Sequence, residues 1–277
     1  MIRLLTPWPA LLVETEERML IATDLHLGIE YELAKMGINI PYQTDRFLSE
    51  IVGLVKEHKP DRLILLGDVK HGVPITSFQE KREIPRLFNT LLEDVERIDV
   101  CRGNHDGNLQ NLVPEEVVIH PSRGFMIGDE FKLAALHGHS WPYPRMLGAD
   151  LIVMGHNHPT VSLNTPLGVR ITRRVWMRGQ CDGSRLAASL CEQERVKVEG
   201  DPVVALEAEY DVEVGDPQII VMPTFNDLLG GLPVNADSPK SLLGPLFRSG
   251  TVNVEDFDVY LLDGTFLGRV EFLRTLY

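Results

Sequence analysis

Five short motifs of the sequence carry aspartate, asparagine and histidine residues of the kinds that bind metal ions. They are Asp24-Leu25-His26, Gly67-Asp68, Gly103-Asn104-His105-Asp106, His137-Gly138-His139 and Gly155-His156-Asn157-His158. Imidazole and carboxylate groups without thiolates suit borderline-hard divalent ions such as manganese, iron, zinc or nickel. The motifs contain more candidate ligands than a single tetrahedral zinc ion needs. This excess favours two metal ions that share a carboxylate, an arrangement typical of sites that hydrolyse phosphoesters.

Each motif directly follows a short apolar run that predicts a β-strand. These runs are Met19–Thr23, Leu63–Leu66, Ile98–Cys101, Phe131–Leu136 and Leu151–Met154. Loops at strand ends in an α/β sheet converge on one crevice, so five such loops can bring their side chains to one site. Asp24 lies two residues before His26, a spacing that in extended backbone puts both side chains on the same face. The same spacing separates His156 from His158.

The order of the motifs resembles that of calcineurin-like metallophosphoesterases. The series DLH, GD, GNHD, HGH and GHNH carries this resemblance, which covers about the first two thirds of the chain. Within the superfamily, the opening strand pair and the segments GDVKHG, HGHSWP and VMPTFNDLLGG are most similar to SbcD-related, ICC-like phosphoesterases. The resemblance implies a metallophosphoesterase-type central β-sandwich flanked by helices (αββα).

The resemblance also implies a role for each candidate residue. One metal ion would be held by Asp24, His26, Asp68 and His158, and the second by Asp68, Asn104, His137 and His156. Asp68 would therefore bridge the two ions. His105 would stabilise charge on the phosphoryl oxygens or protonate the leaving group, with Asp106 orienting it. His71 stands where many relatives carry an acidic residue, and together with His139 it is expected to face the substrate or the water around the ligands.

The rest of the chain alternates first between strands and helices and is then dominated by strands. Apolar spacing predicts a helix over Thr44–His58, and a second helix is expected from about Pro85. Further strands are predicted at Ala10–Val13, Ile219–Met222, Val259–Leu262 and in a hairpin with arms Thr160–Asn164 and Val169–Met177 around Thr165-Pro166-Leu167-Gly168. We expect an α/β fold in one domain over residues 1–277, with the charged, alanine-rich segment at about 182–216 as an insertion.

Two features outside the motifs allow a functional and a structural interpretation. Alternation along one strand would put basic and aromatic side chains on one face: Arg170, Thr172, Arg174, Trp176 and Arg178. That face is either a ridge that guides a phosphate-rich substrate or, as we favour, the exposed side of a half-buried strand. The loop Trp141-Pro142-Tyr143-Pro144 either stacks on a nucleobase or packs over the core, and packing is favoured.

Composition narrows the class of protein. The net charge is −13, which disfavours a binder of long duplexes because such proteins usually neutralise phosphates with a basic face. No apolar run reaches the length of a membrane span, and we expect no signal peptide. The three cysteines are too few and too scattered for a disulfide framework. These features predict a cytoplasmic protein without a membrane partner.

Three functions fit the sequence. The first choice is hydrolysis of a phosphomonoester or phosphodiester of a nucleotide or small molecule, with two divalent metal ions, manganese before iron, zinc or nickel. The second is an SbcD-like DNA nuclease. The third, from another class, is a non-catalytic scaffold that binds proteins, which is disfavoured because the full set of candidate ligands is present. Substrate, native metal and oligomeric state, a homo-oligomer included, are left open by the sequence.

Overall fold

The computed structural model describes residues 1–164, 168–236 and 243–276. Its first sheet has six strands in chain order: β1 (Ile2–Leu4), β2 (Leu11–Glu14), β3 (Arg18–Ala22), β4 (Arg62–Leu65), β5 (Arg97–Cys101) and β6 (Val118–His120). The first three strands are antiparallel, whereas β3 to β6 run parallel to one another. The carboxyl ends of β3, β4 and β5 therefore lie side by side at one edge of the sheet.

The second sheet contains the remaining strands of the described residues. These are β7 (Phe125–Ile127), β8 (Leu133–Leu136), β9 (Leu151–Met154), β10 (Pro159–Asn164), β11 (Arg170–Gln180), β12 (Gln218–Val221), β13 (Leu232–Pro233), β14 (Asp258–Leu261) and β15 (Phe266–Arg269). Their order is β13-β10-β11-β12-β9-β8-β7, with β14 paired to β11 and β15 to β14. The strands β8 and β9 are parallel neighbours, so their carboxyl ends also meet.

Seven α-helices accompany the sheets in the described part of the chain. They are α1 (Ile29–Lys35), α2 (Thr44–His58), α3 (Phe78–Leu92), α4 (Gly183–Glu194), α5 (Pro202–Tyr210), α6 (Pro245–Arg248) and α7 (Val270–Arg274). The bounds predicted for α2 are confirmed. None of the described helices has the length and apolarity that crossing a bilayer requires.

The predicted start of α3 near Pro85 is wrong. The helix begins at Phe78, where Ser77 and Glu80 form a capping box that satisfies free amides of the first turn. Pro85 lies inside the helix. A proline favours a helix start only because its missing N–H is not needed there, and the stronger local signal in this chain is the serine and glutamate spaced by three.

Alternation along the strands of the first sheet separates two cores. Leu20, Leu63 and Ile98 pack with α2 and α3 on one side of the sheet. Met19 and Ile64 point the other way and pack among the strands of the second sheet. Because successive side chains of a strand point to opposite faces, one apolar run serves both cores. Two sheets flanked by helices result, which confirms the predicted fold class.

The segment at about 182–216 contains α4 and α5. Leu186, Leu190 and Leu206 are fully buried in the core that contains the second sheet. Asp182 and Asp201 cap the two helices through their side chains, so two of the segment's charges stabilise helix starts. These helices form part of the layer that covers the second sheet.

The strand β11 contradicts the expected basic and aromatic face. Its pairing with β10 confirms the arms of the predicted hairpin, whereas the turn at residues 165–167 lies outside the described residues. Farther along, β11 pairs with both β12 and β14, so this part is central in the sheet. Trp176 is 1% exposed there, and Arg174 is half-buried with Nη1 donating to two backbone carbonyls. Alternation alone does not show that both faces of a strand are covered.

Candidate metal centre

The five motifs meet at one place, where the carboxyl ends of strands from both sheets face each other. Asp24 and His26 follow β3, Asp68 follows β4, and the segment that begins at Asn104 follows β5. From the second sheet, His137 and His139 follow β8, and His156 and His158 follow β9. The sequence interpretation that strand-end loops converge on one crevice agrees with this arrangement.

The backbone at these loops is not extended, which corrects the expectation from the two-residue spacing. The φ angles are 56° at Asp24, 44° at His26 and 48° at Asp68, and 67° and 43° at His156 and His158. These five residues are among nine non-glycine positions with positive φ in the described residues. Left-handed backbone is unfavourable for such side chains and concentrates where function requires a special orientation. The side chains therefore converge through tight turns.

The two carboxylate oxygens of Asp24 differ: one accepts hydrogen bonds from the protein, and the other accepts none. Its Oδ2 accepts hydrogen bonds from Thr23 Oγ1 at 2.8 Å and from the backbone N–H of His156 at 3.1 Å. Its Oδ1 is buried without a hydrogen-bond partner, 3.2 Å from His158 Nε2. A buried carboxylate oxygen with only imidazoles around it is costly unless a cation binds it.

Asp68 shows the same division between its two oxygens. Oδ1 accepts a hydrogen bond from the backbone N–H of His105 at 2.8 Å. Oδ2 lies between two imidazoles, 3.4 Å from His26 Nε2 and 3.3 Å from His137 Nε2. A single oxygen is therefore placed between ligands that come from different sheets.

Hydrogen bonds orient one of the candidate histidine ligands, and burial keeps two others neutral, the form that binds a metal ion. His137 Nδ1 donates to the carbonyl oxygen of Leu66 at 2.7 Å, which turns Nε2 towards Asp68 and towards Asn104 Oδ1 at 3.2 Å. Burial lowers the pKa of His26 and of His156 to about 3, so both rings are neutral at physiological pH. Burial also lowers the pKa of His137, but the carboxylates of Asp68 and Asp24 outweigh it and raise this pKa to about 9.

Candidate ligand atoms form three groups, each with its atoms within 4.8 Å of one another: Asp24, His26 and His158; Asp68, His137 and His156; and His26, His71 and His105. The first two groups contain six of the seven ligands that the family resemblance implies, with Asp68 in the second group. The third group shares His26 with the first and contains no carboxylate. Asp24 Oδ1 and His26 Nε2 are buried without hydrogen-bond partners, as expected of atoms whose partner is a metal ion. The residues present therefore fit two metal ions.

His105 and Asp106 differ from their expected relationship. His105 Nδ1 lies 2.6 Å from the carbonyl oxygen of His71, and this contact rather than Asp106 orients the ring. Asp106 is fully buried and accepts hydrogen bonds from the backbone N–H groups of Gly103 and Lys70. Burial and the nearby Asp68 carboxylate raise the pKa of Asp106 to about 6. Asp106 thus joins the backbones of two ligand loops.

The two residues assigned to the substrate or surrounding water occupy different sides of the centre. His71 Nδ1 is 3.2 Å from His26 Nδ1, and its ring stacks on that of His105 with 5.4 Å between centroids. His139 lies beside His137 and His156, with ring centroids 5.3 and 5.9 Å away. Its Nδ1 is buried without a hydrogen-bond partner. Both residues are near the predicted ligands, and His139 also lines a groove described below.

Two supports of the centre are absent from the sequence interpretation. Thr224 Oγ1 and the N–H of Asn226 bond to the carbonyl oxygen of Asp24, and Asn226 Nδ2 bonds to that of Leu25. Glu80 accepts hydrogen bonds from the N–H groups of His71 and Gly72 at 3.0 and 2.6 Å. The sequence pointed to Thr224 and Asn226 only through the resemblance carried by the segment VMPTFNDLLGG. It pointed to Glu80 only through the capping box that Glu80 forms with Ser77.

Comparisons with known proteins agree with this centre. Residues 17–146 match the family model described as calcineurin-like phosphoesterase, a range that ends before His156 and His158. The crystal structure of the nuclease MPE from Pseudomonas putida is similar, with a TM-score of 0.50, 18% identity, and 92% of this chain and 89% of that chain covered. No curated protein sequence matches the chain.

A second solved structure is less similar. For Yfce, a phosphoesterase from E. coli, the TM-score is 0.35 at 20% identity, with 53% of this chain and 73% of that chain covered. The likeness to the Pseudomonas putida nuclease supports the fold, and the family match supports the class of chemistry. Residues 17–146 thus resemble the calcineurin-like phosphoesterases, and this family match indicates a metal-dependent hydrolase of phosphoric esters.

Proposed function

We propose that the chain is a two-metal phosphodiesterase that acts on nucleotides or small nucleotide-like diesters, with manganese as its first candidate metal. The observation that carries this proposal is the position of Asp68 Oδ2 between His26 Nε2 at 3.4 Å and His137 Nε2 at 3.3 Å. This oxygen lies beside one imidazole from each ligand group, so it is placed to bridge two ions. Two-metal sites of this kind clamp the attacking and leaving oxygens of a phosphoryl group.

The remaining residues have roles that follow from their positions. Two bound divalent ions would supply positive charge for the phosphoryl oxygens and lower the pKa of water. A cleft of about 340 Å³ opens over the ligands and is lined by Asp68, Asn104 and His105 among others. The His71 carbonyl holds His105 Nδ1, so His105 can present its other nitrogen to a phosphoryl oxygen or a leaving group.

The two other candidate functions have less support. The fold is similar to that of the Pseudomonas putida nuclease MPE, but the net charge is −13 and the buried Trp176 removes the expected basic and aromatic ridge. The strand β11 therefore offers no basic face of that kind to a long duplex. A non-catalytic scaffold would not need the strained backbone that brings both ligand groups together.

Hydrolysis of two chromogenic esters tests the proposal. We would measure manganese-dependent cleavage of bis-p-nitrophenyl phosphate and p-nitrophenyl phosphate by the full chain and by Asn104→Ala and His105→Ala. Asn89→Ala, an exposed asparagine on α3, is the matched control. Diester cleavage that is lost in both site variants and kept in the control supports the proposal. No cleavage by a protein with two bound manganese ions per chain would contradict it and favour the scaffold.

A further inference from the structure

A groove of about 740 Å³ lies directly beside the candidate metal centre. It shares His156 and Leu243 with the cleft over the ligands, so the two spaces are neighbours. We call it the arginine groove and define it by Arg123, His139, Trp141, Gln193, Gly244 and Arg248. Its volume is in the range of pockets that bind small ligands and is large enough for one nucleotide.

The wall of the groove that carries Arg248 contacts the loops that contain the candidate metal ligands. Gly244 packs so closely on the His137-Gly138-His139 turn that a Cβ there would overlap the carbonyl oxygen of Gly138. The neighbouring Leu243 N–H donates to Asn157 Oδ1 at 2.6 Å. Arg248 N–H bonds to the carbonyl oxygen of Gly244, which places Arg248 one helical turn from this contact. Its reach is therefore set relative to the metal centre.

The two arginines of the groove differ in their availability. Arg123 forms an ion pair with Glu194, donates to the carbonyl oxygens of Trp141 and Pro142, and stacks on Tyr143. Arg248 is exposed and forms no ion pair or side-chain hydrogen bond with any residue that the structure describes. A guanidinium group offers several N–H donors in a planar fork that matches phosphate. Arg248 is thus free to bind an anion, whereas Arg123 stiffens the loop beside it.

Trp141 gives the groove a flat aromatic surface. The side chain is half-buried and packs partly against the core, as we favoured for this loop from the sequence. The rest of the residue lines the groove. Its loop is restrained by two prolines and by the Arg123 hydrogen bonds to the Trp141 and Pro142 carbonyls. A restrained aromatic ring and an unpaired guanidinium in one groove suit a base and its phosphate.

We propose that the arginine groove binds the nucleotide next to the reacting phosphate, with Arg248 on a second phosphate and Trp141 against the base. This inference rests on the proposed phosphodiesterase function. It assigns the substrate to nucleotide diesters that carry another phosphate one nucleoside away from the cleaved bond. Such a substrate needs only a groove of one-nucleotide size, which is compatible with the acidic character of the whole chain.

Short defined substrates test the second phosphate directly. We would compare kcat/KM for cleavage of the internal diester in the thymidine dinucleotides dTpdT, pdTpdT and dTpdTp, using the full chain with manganese. Because hydrogen bonds to charged groups contribute strongly, we expect one of the two terminally phosphorylated dinucleotides to be cleaved about tenfold faster or more than dTpdT. In Arg248→Ala this ratio should fall towards one, and Arg248→Lys should keep part of it.

Arg185→Ala supplies the matched control, because Arg185 is an exposed arginine on α4. It should keep both the wild-type ratio and hydrolysis of bis-p-nitrophenyl phosphate. Thermal unfolding of each variant shows that it is folded. Equal rates for all three dinucleotides, or a ratio that Arg248→Ala leaves intact, would overturn the groove assignment. Wild-type protein that cleaves bis-p-nitrophenyl phosphate in the same assays separates this outcome from failure of the proposed function.

Discussion

Asn226 Nδ2 donates a hydrogen bond of 2.9 Å to the carbonyl oxygen of Leu25, although the two residues are 201 positions apart in the chain. Both residues are buried, and Leu25 lies between Asp24 and His26. The contact therefore supports the backbone that aims two candidate ligands. A buried carbonyl group without a donor destabilises the folded state, so loss of this bond should affect both stability and the metal centre.

We predict that Asn226→Ala destabilises the fold by about 1–3 kcal/mol, because the Leu25 carbonyl loses its donor. Manganese affinity should fall about tenfold, because residues that orient ligands affect affinity on this scale. Isothermal titration calorimetry and urea unfolding measure the two effects. Asn89→Ala should leave both unchanged. Wild-type manganese affinity in folded Asn226→Ala would show that Asp24 and His26 are positioned without this bond.

A second prediction concerns Glu80, which holds the backbone of His71 and Gly72. Glu80 Oε1 accepts both bonds, and glutamine would keep this acceptor, so Glu80→Ala is the informative change. Because the His71 carbonyl orients His105, Glu80→Ala should lower kcat about tenfold through misplacement of His105. Metal stoichiometry should stay at the wild-type value. Ser77→Ala is the control, because it removes the helix cap and about 1 kcal/mol of stability while keeping the loop bonds. A Glu80→Ala enzyme with wild-type kcat would contradict this role.

Gly103 provides a steric test of Asp68. A Cβ at this position would overlap Asp68 Oδ1, Cγ and the backbone nitrogen. Because the carboxylate is rigid, Gly103→Ala must also displace Oδ2, which lies between His26 and His137. We expect hydrolysis to fall about 100-fold and bound metal per chain to decrease after dialysis. Gly107→Ala is a close control, because a Cβ there meets no heavy atom within 4 Å. Full metal occupancy in Gly103→Ala would contradict the shared position of Asp68.

The buried Asp99 predicts a pH dependence of stability away from the metal centre. Burial raises the pKa of Asp99, but the hydrogen bond with His120 and the guanidinium groups of Arg62 and Arg97 outweigh it and hold this pKa below its ordinary value. The folded state therefore binds this proton less readily than the unfolded state. The resulting stability is present above the unfolded pKa and is lost as pH falls through the folded value.

Asp99→Asn should thus lower the free energy of unfolding by about 3 kcal/mol at pH 7, because it breaks a buried ion pair with Arg62. The difference from wild type should shrink as pH falls below about 4. Urea unfolding at several pH values measures it. Asp94→Asn, which removes a partly exposed ion pair with Lys56, should change little at any pH. A difference that is constant with pH would exclude the ionised Asp99 as its source.

The sequence by itself determined which residues are candidate metal ligands. It also determined that a strand precedes each group of them. Such signals are local: an apolar run of four residues before Asp68 predicts β4, and apolar spacing predicts α2 to the residue. The ordered motifs also predicted the similarity to calcineurin-like phosphoesterases that the match over residues 17–146 confirms. Conversely, the start of α3 was mistaken because a proline inside a helix and a proline at its start look alike without the capping contacts of Ser77.

Only the tertiary structure decided how these residues are oriented and supported. The His71 carbonyl took the place expected for Asp106 beside His105, and Trp176 is buried because its face of β11 packs in the core that contains the second sheet. The hydrogen bond from Asn226 to Leu25 likewise depends on the approach of distant segments. Each is a contact between parts of the chain that have no regular spacing in sequence. Packing of the whole fold sets such contacts, and local patterns therefore do not predict them.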